Sequence, residues 1–288
     1  MLRLKAFAKL NLVLEVLGSR SDGYHDISSI MQAISMHDVL TLQLADRIEL
    51  KHRLPGVEDR DNLALRAAQT LGDATGCKRG VAIELEKHIP SGAGLGGGSS
   101  DAAAVLRGLN ILWRLGLTAD KLAAIGAGLG SDVPFLIYGG TCLVEGRGER
   151  ITPLADLEQT WFVLLRPHVP VPSGKTAALY SLLKPAHYSD GDFSSTVRRQ
   201  LESGAERRPQ ALFNVFERVL PDAFPGLDRY IEDFHRAGAS EVHLAGSGPV
   251  LFTMLNNDKQ ASDIHAHLLA HQLESYIVTS VGRQEIGC

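Results

Sequence analysis

Apolar and polar positions alternate over residues 2–8, resume as a run over 11–17, and stop at Gly18-Ser19-Arg20-Ser21-Asp22-Gly23, the composition of a turn. A pair of strands is therefore predicted at the amino terminus. Short runs at 39–44 and 48–52 read as further strands, 62–71 as a helix, and 80–87 as the strand that delivers the chain into a glycine-rich stretch. Beyond it Ala102, Val105, Leu106, Leu109, Leu112 and Trp113 recur at helical spacing, and Gly116 and Thr118 supply a stop and a new N-cap for a helix over 119–129. Gly130-Ser131-Asp132-Val133-Pro134-Phe135 makes a turn into 136–138, Gly139-Gly140 leads to a strand around 141–145, and a polar stretch over 145–156 separates this half from the next. In the second half strands are predicted at 161–166, 241–245, 250–255 and 276–281, and helices near 176–183, 210–219, 227–237 and 259–273, with the polar residues 191–208 as a surface loop. Strands lead and helices follow in the first half. The second resembles a split β-α-β arrangement on an antiparallel sheet, so the class is α+β, with domains 1–150 and 151–288.

Composition narrows the function classes. The chain has 288 residues, 44% of them hydrophobic and 22% charged, with a net charge of -4. That balance suits a soluble protein and lacks the basic face on which nucleic-acid affinity rests. No apolar run approaches the ~20 residues of a membrane span, and no targeting segment is evident, so a cytoplasmic location is expected. Cys77, Cys142 and Cys288 are scattered and odd in number, which points to a reducing compartment and away from a disulfide framework or zinc site.

The densest chemical signal is Pro90-Ser91-Gly92-Ala93-Gly94-Leu95-Gly96-Gly97-Gly98-Ser99-Ser100, which opens directly onto a helix. Glycines accept φ > 0 and let the backbone approach an anion, while a helix N-terminus offers free N–H groups and the positive end of its dipole. The stretch reads as a phosphate cradle, and Ser99 and Ser100 can donate to phosphate or ligate magnesium. Gly92-x-Gly94-x-x-Gly97 also matches the dinucleotide fingerprint, but a helix stands where that fold needs its second strand. Ser173-Gly174-Lys175-Thr176 ends like a Walker A loop. Val169 occupies the position of its first glycine, and Pro170 and Pro172 lack N–H groups, so no phosphate nest forms there and Lys175 is expected to be dispensable.

Three segments together resemble the GHMP kinases, ATP-dependent kinases of small molecules: Ala8-Lys9-Leu10-Asn11-Leu12, the glycine loop, and Leu244-Ala245-Gly246-Ser247-Gly248-Pro249. The resemblance spans essentially the whole chain. It implies an amino-terminal ribosomal-protein-like α+β domain, a ferredoxin-like carboxy-terminal domain and an active site in the cleft between them. Within the family it is sharpest for the kinases whose acceptor carries a cytidine diphosphate, through Arg20-x-Asp22-Gly23-Tyr24-His25, the triple-glycine loop and the 130–135 turn.

The resemblance implies Asp132 as catalytic base for a tertiary hydroxyl, where the sequence alone allows a plain turn aspartate. It brings Lys9 to that carboxylate and hydroxyl. A lysine within an apolar strand otherwise snorkels to the surface. Asn11, Tyr24 and His25 become substrate contacts, the ring stacking on cytosine, with a structural turn pair as the alternative. Asn62 borders the adenine or is simply an N-cap. Gly246-Ser247-Gly248 lines the cleft or is a hairpin turn. Ser173 and Tyr180 stand where the family has a hydroxyl and a second aromatic, although Gly174-Lys175-Thr176 departs from its Ser-Thr-Ala-x-x-Tyr spacing. ATP is the implied cofactor with Mg²⁺ beside it, no carboxylate announcing itself as a ligand. The implied partners are ATP and the small-molecule acceptor, without nucleic acid or membrane, in a monomer or homodimer. Two alternatives stay open: another kinase of this family, acting on homoserine, mevalonate or a sugar, and a non-catalytic nucleotide- or RNA-binding module.

Overall fold

The computed structural model describes residues 1–52, 58–171, 174–204, 209 and 211–287. One strand, β1 (Leu2–Ser19), replaces the expected pair, and it lies antiparallel to the equally continuous β2 (His25–Ala45) across the 20–24 turn. Register shifts between Phe7 and Ala8 and between Asn11 and Val13 absorb the break in alternation that suggested two strands. The middle of β2 was not legible as a strand because Ile27 to Ile34 is buried throughout, and a strand covered on both faces loses its period-two signature.

β3 (Ile48–Leu50), β4 (Gly80–Glu86), β5 (Thr141–Gly146), β6 (Arg150–Pro153) and the two-residue β8 (Phe213–Asn214) complete a seven-stranded mixed sheet. The polar stretch over 145–156 contains the β5–β6 hairpin turn. The boundary expected near 150 thus falls inside that hairpin, and the chain returns to the sheet at Phe213–Asn214, where β8 runs parallel to β1. Helices α1 (Leu63–Thr75), α2 (Gly97–Leu112), α3 (Ala119–Gly126) and α4 (Val133–Tyr138) cover one face, burying Ala67, Leu71, Leu106, Leu109 and Phe135 against Leu40, Leu42 and Ile83. α4 corrects the expectation of a simple turn at 130–135: Pro134 sits in its first turn, where a missing N–H costs nothing.

The second sheet has the antiparallel order β11 (Ser275–Thr279), β7 (Trp161–Leu165), β10 (Leu251–Leu255), β9 (His243–Leu244), the order of a ferredoxin-like unit. Phe162, Leu164 and Phe252 meet Ala8, Leu10 and Leu12 of β1 in a core between the two sheets. The opposite face, with Val163, Leu165 and Leu251, packs on α5 (Lys175–Leu182), α8 (Asp228–Arg236) and α9 (Asp258–Ala270); the short α7 (Leu220–Ala223) adjoins them.

The expected loop over 191–208 is in large part a helix, α6 (Asp192–Ser203), which buries Val197 and Leu201; residues 205–208 lie outside the described set. Polar composition concealed it because only one narrow face is apolar. A fully buried carboxylate, Glu15 of β1, accepts from the Ser194 N–H at 2.9 Å, the Ser194 hydroxyl at 2.7 Å and the Phe193 N–H at 3.4 Å, and so caps the α6 N-terminus from another element. The helix expected near 210–219 is instead β8 followed by a 3₁₀ turn at Val215–Val219. No helix among the described residues is long and apolar enough to cross a membrane.

Candidate active site

The sheets and the glycine loop enclose a cleft of about 1110 Å³. Its floor is β1. Lys9, 4% exposed, sends its ammonium out of the strand to Asn11 Oδ1 at 2.7 Å and stands 3.5 Å from Asp132 Oδ2. Asn11 in turn donates to Ser29 Oγ at 2.9 Å, and Ser29 donates to the Val13 carbonyl at 2.5 Å. The lysine is thus held by a hydrogen-bonded chain that fixes its position before any ligand arrives. Asp132 precedes α4 yet makes no capping hydrogen bond to it, so its carboxylate is free to face the cleft.

The glycine loop closes over this pair. Gly96, at φ +76, precedes α2, and a Cβ there would press on Lys9 Cγ at 3.1 Å and approach Asp132 Oδ2 at 3.6 Å. Only glycine lets the cradle come this near to the charged pair. Pro90 to Ser99 all line the cleft, with the α2 N-terminus behind them. Ser100 does not: buried, it donates its hydroxyl to the Phe7 carbonyl at 2.7 Å and anchors the helix to β1. Asn62 is also withdrawn, capping α1 through the N–H groups of Ala64 and Leu65, and its neighbour Leu63 takes the place on the cleft wall. Gly246 and Ser247 line the cleft from the second sheet, as expected from sequence.

At the far end the 20–24 turn is braced by Arg20, which binds Asp26 at 2.7 Å and Asp22 at 3.2 Å. Asp22 accepts the Tyr24 N–H at 3.1 Å, a bond that holds its carboxyl below the usual range, with Arg20 adding to the effect. Tyr24, 54% exposed, lies under the Arg147 guanidinium at 4.9 Å. His25 stacks on Tyr180 at 4.9 Å between ring centroids, and Tyr180 meets the edge of Phe216 at 5.0 Å. Burial first, and then the charge of Asp132, push the Tyr180 hydroxyl up to about 12, so it remains a donor. Three sequence-distant aromatic residues thereby form one platform leading to the Lys9–Asp132 pair.

Ser173 lies outside the described residues, as do Pro172 and Cys288. From the first turn of α5 Thr176 brings a hydroxyl to the cleft, 3.0 Å from Ser247 Oγ and one helical turn before Tyr180. Lys175-Thr176-Ala177-Ala178-Leu179-Tyr180 in fact carries the Ser-Thr-Ala-x-x-Tyr spacing, with lysine in the first place. The i, i+4 spacing of Thr176 and Tyr180 was the available signal. Arg147 and Phe216 had none, since each reaches the cleft from an element whose position is tertiary. Cys142 is a buried thiol pushed up to about 12 by burial, and no group of three or more His, Cys, Asp or Glu able to hold a metal occurs among the described residues.

The model of the GHMP kinases N terminal domain matches residues 62–140, and that of the GHMP kinases C terminal region matches 196–273. The chain is 42% identical over 282 residues to the 4-diphosphocytidyl-2-C-methyl-D-erythritol kinase of Dehalococcoides mccartyi, covering 98% of this chain and 99% of that one. It is 42% identical over 287 residues to the kinase of the same name from Bacillus cereus, covering 99% and 98%. A crystal structure of 4-(cytidine 5'-diphospho)-2C-methyl-D-erythritol kinase superposes with a TM-score of 0.80 at 33% identity, over 98% of this chain and all of that one. A homoserine kinase from Cytophaga hutchinsonii shares the fold, with a TM-score of 0.71 at 20% identity over 97% and 94%.

Proposed function

The chain belongs to the GHMP kinases, and from that premise we infer that it transfers the γ-phosphoryl group of ATP to the 2-hydroxyl of 4-diphosphocytidyl-2-C-methyl-D-erythritol, a step of the non-mevalonate route to isoprenoid precursors. The observation that carries the reading is the full-length likeness to kinases of that name, joined to a cleft in which a phosphate cradle, a lysine–aspartate pair and an aromatic platform follow one another.

The ATP phosphates lie along residues 90–99 against the α2 N-terminus, where backbone donors and the helix dipole favour polyanions. Tyr24, His25 and Tyr180 hold the cytosine. The acceptor hydroxyl then meets Asp132, which takes its proton as the new oxygen–phosphorus bond forms and the bond to the β–γ bridging oxygen breaks, releasing ADP. Lys9 offsets the charge developing around the transferred group, and Asn11 keeps the ammonium in line. Since phosphoryl transfer passes through a loose transition state, such positioning and charge supply most of the catalysis. Mg²⁺ fits as a companion of the phosphates, with Ser99 as the hydroxyl donor on the cradle, and supplies charge neutralisation there.

We assign the enzyme to the cytoplasm, where ATP is available and the free thiols Cys77 and Cys142 stay reduced. Release of ADP from Mg-ATP, followed with the cytidyl acceptor, homoserine and mevalonate in turn, tests the assignment. Fast release is expected with the cytidyl acceptor alone, and equal turnover of homoserine overturns it.

A further inference from the structure

Expected from its sequence to be dispensable, Lys175 stands at the first position of α5 on the cleft wall. Its ammonium donates to the Gly92 carbonyl at 2.8 Å and to the Gly248 carbonyl, bridging the glycine loop and the loop of the second sheet. An ammonium has three donors, so this geometry leaves one uncommitted. Among the described residues none of the ion pairs includes Lys175. The first turn of α5 carries no acidic residue, and a cation at a helix N-terminus faces the positive end of the dipole. Lys9 adds a further positive charge nearby. Burial first, and then Lys9, lower the Lys175 ammonium to about 8.

The other two lysines of the cleft are placed differently. Lys9 has Asp132 at 3.5 Å, and Lys87 has Asp38 at 2.5 Å and Asp101 at 2.6 Å. Lys175 alone of these three lysines has only carbonyl partners, at a point where a lysine, a helix N-terminus and a glycine loop converge.

We propose that Lys175 binds a phosphate oxygen of the reacting nucleotides, as a cationic contact additional to the glycine loop. The proposal rests on the kinase reading above and names a residue for it. Two phosphate chains enter this cleft in that reading, that of ATP and the diphosphate of the acceptor, and the experiment separates them.

Steady-state kinetics with each substrate varied, and calorimetric binding of inorganic pyrophosphate, are compared for wild type, Lys175→Gln and Lys175→Arg. Glutamine still donates to the Gly92 and Gly248 carbonyls but carries no charge. Lys175→Gln is expected to raise the KM of one phosphate-bearing substrate about tenfold or more and to weaken pyrophosphate binding similarly, while Lys175→Arg stays within about threefold of wild type. A rise confined to ATP assigns its phosphates to Lys175, and a rise confined to the acceptor assigns its diphosphate. Wild-type behaviour of Lys175→Gln leaves the residue a mere latch and overturns the proposal while the kinase reading stands. Equal losses in both variants also overturn it, because arginine keeps the charge. Charge-dependent pyrophosphate binding in an enzyme that fails to turn over the cytidyl acceptor supports this site and removes the kinase reading instead.

Discussion

Replacing Asp132 by asparagine keeps the size of the side chain and removes its ability to accept a proton. The carboxylate caps nothing in α4, so the change costs little stability. kcat is expected to fall by about 10²–10⁴, the usual contribution of a positioned base, with the KM for ATP nearly constant. Near wild-type kcat in Asp132→Asn would leave Lys9 as the main catalytic charge. A second residue-scale test concerns Asp101, whose carboxyl is pushed up to about 7, chiefly by burial and further by Asp38, with Lys87 opposing. Lys87 is itself raised, toward its charged form. Within the trio Asp38 also accepts the N–H groups of His88 and Ile89, whereas Asp101 Oδ1 has no partner. A raised carboxyl contributes stability that is complete below its unfolded value of 3.8 and is lost as the pH climbs to about 7. Urea denaturation across that window should therefore show wild type losing stability relative to Asp101→Asn. A difference that grows in favour of wild type would mean that Asp101 is ionised beside Lys87.

At the scale of elements, the telling case is α6. Its residues look like a surface loop because Asp192, Ser194, Ser195 and the two arginines at 198 and 199 dominate the composition. The helix exists because Glu15 supplies an acceptor for its first N–H groups and because Val197 and Leu201 find a core to enter. Glu15→Ala would strand the buried Ser194 N–H at a cost of about 1–3 kcal/mol, while the Ser194 hydroxyl keeps Ser28 and the Gly191 carbonyl as partners. The expected result is a lower urea midpoint and loss of helical signal; an unchanged midpoint would show that the apolar face alone holds α6. The long β1 and β2 carry the same lesson. Bulges and burial on both faces erase alternation, while α1, α2 and α9 keep a periodicity that reveals them.

For the whole molecule, the contact between the two sheets' loops decides whether a cleft exists. Gly94 lies at φ +85, and a Cβ there would overlap the Ala245 carbonyl oxygen and come within 2.9 Å of the Gly248 nitrogen. Gly92 has a similar φ of +68, but its Cβ would meet nothing closer than Val171 Cγ1 at 4.0 Å. Both alanine variants carry the strain of a left-handed residue, about 1–3 kcal/mol, and only Gly94→Ala must also push the loops apart. Gly94→Ala is expected to raise the KM for ATP well beyond the effect of Gly92→Ala, measured by ADP release. Equal effects would mean that strain alone matters and the interloop contact does not.

The sequence by itself determined the α+β class, the antiparallel second sheet, and the glycine-rich loop with its helix, whereas Lys9 and Asp132 stood out only through the resemblance to the GHMP kinases. The class, the sheet and the loop depend on local patterns, in which spacing, glycine content and residue type act within a few neighbours. Tertiary structure decided which hydroxyl faces the cleft, Ser99 rather than Ser100, since that is set by how α2 rolls onto β1. It decided that Tyr180 joins His25, and that a lysine dismissed with a false motif stands on the wall of the cleft. Each of these outcomes turns on contacts between residues tens of positions apart, which no local pattern encodes.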